Sequence, residues 1–91
     1  RSAIEHTAPL FENMVSELLS PEFESEKKKI EKKFFATYHK LSSHYQDVLC
    51  YRFELSMSVK EIASRMDLSF KATESLLYRA RLAFRTEYER E

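Results

Sequence analysis

A chain of 91 residues has the length of one small domain and too little interior for a deep catalytic cleft. Hydrophobic residues at 43% and aromatic residues at 13% suffice for a core, and the absence of glycine excludes Asn-Gly hairpins and glycine-rich phosphate loops. The formal charge is zero but unevenly spread: residues 1–26 set six glutamates against Arg1, a net −5, and the remaining residues carry +5.

In chain order, Leu10, Phe11, Met14, Val15, Leu18 and Leu19 recur at helical spacing, with Pro9 in the first turn and Thr7 as its cap. Ser20-Pro21 ends this helix and opens a second, expected from Pro21 to about Leu41. Its apolar positions are Ile30, Phe34, Tyr38 and Leu41. Glu22, Glu24 and Glu26 suit its positive end, and the lysines from Lys27 to Lys33 read either as a solvated face or as a surface for an anionic partner. Ser43-His44-Tyr45-Gln46 has the form of a capping box opening a third helix. Tyr45, Val48, Leu49, Arg52 and Phe53 would be its buried side, and it should end near Leu55 or Ser56. A second capping box, Ser58 to Glu61, starts a short helix over about Val59–Met66, with Met57 and Ile62 as the hydrophobic staple. Asp67-Leu68-Ser69 makes a turn, and Ser69 caps a long fifth helix with Thr73, Leu77, Ala80 and Phe84 inward. The fold class expected is all-α, a small bundle of about five helices. Residues 1–20 would form a linker or packing helix, and residues 21–91 the main domain.

A short helix, a tight turn and a longer helix over Ser58–Arg85 define a helix-turn-helix. Ala63 is the small residue where the two helices approach, Asp67 stands where a left-handed turn residue is needed, and Ile62, Leu68 and Leu77 would fill the space between them. With Leu77 at the centre of the buried stripe, Lys71, Ser75, Tyr78 and Arg79 fall on the opposite side and Glu74 on the flank. These side chains suit a major groove: arginine reads guanine, glutamate accepts from cytosine, and tyrosine packs on a thymine methyl. Arg81 and Arg85, further along, are better placed for the phosphate backbone than for bases. A charged, solvated helix surface is the alternative reading of the same residues.

The stretch Leu41–Arg85, LSSHYQDVLCYRFELSMSVKEIASRMDLSFKATESLLYRARLAFR, resembles region 4 of the sigma-70 superfamily, particularly its extracytoplasmic-function group. The likeness rests on an L-x-x-x-x-x-x-V-L start, an S-V-x-E-I-A first helix and E-S-L-L-Y-R-A-R in the long helix. It covers about half of the chain. What the resemblance implies is a promoter-recognition domain that binds the −35 element while holding the β-flap of RNA polymerase. By motif position Glu74, Ser75, Tyr78 and Arg79 would approach bases, and Lys60 and Lys71 phosphates. Phe35, His39 and Arg52 would face the polymerase, and an anti-sigma factor is a further expected partner. The sequence departs from the family pattern at Asp67 and Ser56, where glycine is usual, and at Thr73, where valine is common. The acidic residues 1–26 correspond in position to the linker between the two conserved sigma domains, and a negative linker could occupy a polymerase channel built for nucleic acid.

Enzyme chemistry finds no constellation: His6, His39 and His44 are scattered, no metal-ligand spacing or catalytic triad is present, and no cofactor is implied. Cys50 is the lone cysteine, so a reducing compartment is expected, and no apolar run approaches a membrane span or signal peptide. A cytoplasmic piece of a longer protein, monomeric on DNA, is the expectation. Two rivals stay open: a response-regulator type helix-turn-helix binding palindromes as a dimer, and an interaction module that binds polymerase or an anti-sigma factor without touching DNA.

Overall fold

The structure, a computed structural model, describes residues 8–18 and 27–90. Five α-helices lie within the described residues, with no strand among them: α1 (Ala8–Leu18), α2 (Lys27–Lys40), α3 (Ser43–Leu49), α4 (Val59–Met66) and α5 (Phe70–Glu89). The all-α bundle expected from periodicity is therefore the observed architecture. The Thr7 cap, Leu19, the Ser20-Pro21 break and the Glu22, Glu24 and Glu26 turn lie outside the described residues.

Every helix contributes one face to the core. Leu10, Phe11 and Met14 of α1, Phe34 and Tyr38 of α2, and Val48 and Leu49 of α3 are buried in one cluster. Ile62 of α4 and Leu76, Leu77, Ala80, Phe84 and Tyr88 of α5 complete it. Removing a side chain of this kind from water stabilises the fold by about 1.5–3 kcal/mol. Aromatic rings form its centre. Phe34 meets Phe11 edge-on at 5.3 Å and lies 5.0 Å from Phe84, which stacks on Tyr88 at 5.9 Å. At the rim of α5, Lys33 Nζ sits 4.4 Å from the centre of the Tyr88 ring and Lys40 pairs with Glu87 at 3.6 Å.

The start of α3 differs from expectation by one residue. Ser42, not Ser43, is the extended N-cap, and its hydroxyl accepts from the Tyr45 N–H at 3.4 Å. The third helical position is then Tyr45 rather than Gln46, so no reciprocal box can form. The Gln46 amide instead donates to the Leu41 and His39 carbonyls at 2.9 and 3.4 Å, satisfying acceptors left open where α2 ends. Tyr38 Oη donates to the Gln46 carbonyl at 2.7 Å and completes the α2–α3 tie.

After α3 the chain widens into a π turn over Cys50–Glu54, with Leu55 N–H donating to the Cys50 carbonyl at 3.1 Å. The wide turn keeps Cys50 and Phe53 both buried. The Phe53 carbonyl accepts from Asn13 Nδ2 of α1 at 2.7 Å. Ser56 then turns the chain at φ 55°, the left-handed region, and Met57 N–H closes back on the Tyr51 carbonyl at 3.0 Å. Arg52 Nη1 braces the same turn, donating to the Met57 carbonyl at 2.9 Å.

Candidate nucleic-acid interface

The box at the start of α4 forms as read. The Ser58 hydroxyl accepts from Glu61 N–H at 3.1 Å, and Ser58 N–H donates to the Glu61 carboxylate at 2.8 Å. Met57 packs against the core cluster that contains Ile62. At the other end of α4, Asp67 adopts φ 59° and ψ 47°, the left-handed conformation its position demands. Its N–H bonds the Ser64 carbonyl at 3.3 Å, and Leu68 N–H bonds the Ala63 carbonyl at 2.9 Å. These two bonds form a Schellman turn, which supplies partners for carbonyls that the helix end would leave unpaired.

Leu68 departs from expectation. Expected between the helices, it is 38% exposed, because the Schellman turn holds it beside the end of α4. The contact between α4 and α5 falls instead to Ile62, Ala63, Leu77 and Thr73, all buried. Thr73, where an apolar branched residue would serve equally, donates its hydroxyl to the Ser69 carbonyl at 2.8 Å and so leaves no unpaired polar atom. Ser69 caps α5 as expected, accepting from Ala72 N–H at 3.0 Å.

This geometry presents one long face of α5 to solvent. Lys71, Glu74, Ser75, Tyr78 and Arg79 are all exposed on it, Tyr78 by 66%. Lys60 is exposed on the neighbouring α4. Lys60, Lys71 and Arg79 form no ion pair among the described residues, so their charges are available to an anion. Arg85 is also exposed and pairs loosely with Glu89 one turn on, at 4.0 Å.

The buried stripe is broader than Thr73, Leu77, Ala80 and Phe84, since Leu76 is buried too. Its centre therefore lies to one side of Leu77, with two consequences at 100° per residue. Leu82, 51% exposed, stands opposite the stripe in the middle of the polar face. Arg81 moves to the flank, where its Nη2 lies 3.6 Å from Glu17 Oε1 of α1 and its guanidinium lies 5.6 Å from the centre of the Phe53 ring. The apolar Leu76 was the available signal for this shift. Nothing in the spacing of α1 pointed to its contact with α5.

Of the residues expected to meet the polymerase, Phe35 and His39 lie on α2 and Arg52 on the π turn. Phe35 and His39 share a face of α2, where His39 Nδ1 donates to the Phe35 carbonyl at 2.8 Å. The Phe35 ring is engaged with Phe34 at 4.9 Å, and His39 is exposed. Arg52 belongs to the π turn, already bonded to Met57.

No group of three or more potential metal ligands occurs among the described residues, and no helix there is long and apolar enough to cross a membrane. No curated protein and no solved structure gives a significant match to the chain. The family model described as "Sigma-70, region 4" matches residues 37–84, more than half of the chain, from the end of α2 to Phe84 in α5. On that match the chain belongs to the sigma-70 region 4 family, the DNA-binding domain of RNA polymerase sigma factors.

Proposed function

We propose that this domain recognises the −35 element of a promoter while attached to the β-flap of RNA polymerase. The observation that carries the reading is the outward face of α5: Lys71, Glu74, Ser75, Tyr78 and Arg79 project together from the second helix of a helix-turn-helix. Seated in a major groove, Arg79 would donate two parallel hydrogen bonds to guanine O6 and N7. Glu74 would accept from a cytosine amine, Ser75 would adapt to either partner, and Tyr78 would pack on a thymine methyl or bond to phosphate. Lys60 and Lys71 approach the phosphates on either side, and Arg85 meets the backbone further along. Half or more of such contacts go to phosphate and sugar, which position the helix before any base is read. The polymerase surface is assigned to Phe35 and His39 on α2 and to Arg52 of the π turn. The domain works as a monomer in the cytoplasm and carries no catalytic group; an anti-sigma factor is a further partner.

The experiment is selection of bound sequences from a random duplex pool by the domain fused to a β-flap fragment. A short, non-palindromic element should be enriched. Arg79→Ala should lose about 1–3 kcal/mol and relax the preference at one position. Uniform loss across all sequences would make Arg79 a phosphate contact. Palindromic enrichment would favour a response-regulator type domain, and tight flap binding without enrichment an interaction module.

A further inference from the structure

The helix α1 lies outside the residues that match the family, yet it reaches the DNA-facing helix. Leu10, Phe11 and Met14 seat it in the core, and Asn13 fastens it to the π turn through the Phe53 carbonyl at 2.7 Å. One turn further on, Glu17 pairs with Arg81 of α5 at 3.6 Å. The Arg81 guanidinium is drawn over Phe53, and its Nε is buried without a hydrogen-bond partner. An arginine held there is incompletely satisfied, and leaving that place relieves an unpaired donor. The flank of a helix seated in a major groove also runs beside the phosphate backbone, so Arg81 stands where a DNA phosphate would otherwise be its partner.

We infer that α1 is an autoinhibitory clamp in which the Glu17 carboxylate takes the place of a DNA phosphate on Arg81. The inference rests on the promoter-binding reading of α5. The side chains of Arg81 and Glu17 are 35% and 54% exposed, so their pair is solvent-accessible and weak, and it holds only while α1 stays docked. Anything that lifts α1 from the π turn, such as docking on a larger partner, releases one more cation to DNA. In the free domain the clamp lowers non-specific binding.

The test is binding of the whole 91-residue chain to a random-sequence duplex over a range of salt concentrations. Glu17→Gln removes the charge and keeps the shape. Arg81→Gln removes the guanidinium and keeps part of the stem over Phe53. Glu17→Gln should bind about two- to five-fold tighter at low salt, the worth of one exposed ion pair gained with a phosphate. Its salt dependence should steepen by about 0.9, the increment for one added phosphate contact. Neither change should occur when Arg81→Gln is also present. An unchanged slope in Glu17→Gln, or the same gain with and without Arg81, overturns the clamp. The second of these would show a general charge effect. A steeper Arg81-dependent slope, with no element enriched when bound sequences are selected from the random duplex pool, supports the clamp and sinks the −35 reading alone. Failure of every variant to bind duplex overturns both.

Discussion

Replacing Ser56 with glycine should stabilise this domain, the reverse of what glycine usually does. Ser56 sits at φ 55° in an exposed turn after the π turn, in a chain with no glycine at all. A left-handed backbone costs a residue with a Cβ about 1–2 kcal/mol. Glycine relieves this, while its extra freedom in the unfolded chain takes back about 0.4–1 kcal/mol. The net gain should be roughly 0.5–1 kcal/mol, or a rise in Tm of about 2–8 °C for a domain of this size. Asp67, at φ 59°, should gain less from the same change, because aspartate tolerates the left-handed region better than serine does. Ser64→Gly on the exposed side of α4 provides the control, where glycine should lose about 0.5 kcal/mol. Thermal and urea unfolding followed by circular dichroism measures all three. If Ser56→Gly lowers Tm as Ser64→Gly does, the backbone at Ser56 carries no penalty and the reasoning fails.

Three further outcomes are expected. Ser42→Ala should cost about 0.5–1 kcal/mol and Ser43→Ala close to nothing, because only Ser42 caps α3; equal losses in urea unfolding would restore the one-residue shift in register. Phe84→Ala, which empties a fully buried site between Phe34 and Tyr88, should cost about 3–5 kcal/mol, and a loss below about 1 kcal/mol would mean that the aromatic centre collapses to fill it. Burial raises the Tyr88 hydroxyl above its ordinary pKa of 10.0, so the unfolded chain ionises first. That contribution is complete below about pH 10 and disappears as the pH rises through the folded value; the stability slope above pH 10 should shrink in Tyr88→Phe, and an unchanged slope would place the cause elsewhere.

Local rules written in the sequence determined the helix-turn-helix almost residue by residue. The Ser58 box, the Val59–Met66 span, the left-handed Asp67 and the Ser69 cap are each decided within four residues, since a cap hydrogen bond or a turn involves only its neighbours. The buried face of α5 was legible for the same reason, because helical periodicity puts Thr73, Leu77, Ala80 and Phe84 on one side whatever they pack against. Ser42 and Ser43 mark where local reasoning stops. Either serine can cap α3, and the choice went to the register that lets Gln46 reach the carbonyls at the end of α2. Leu68 is similar, an apolar residue whose exposure follows from the turn rather than from its type. The ion pair of Arg81 depended on tertiary structure entirely. Its partner, Glu17, is distant in sequence, and their meeting required α1 to be seated by its own core residues and by Asn13 on the π turn. Long-range pairs of this kind carry no periodic signal, because they depend on how separate elements dock and not on the spacing within any one of them.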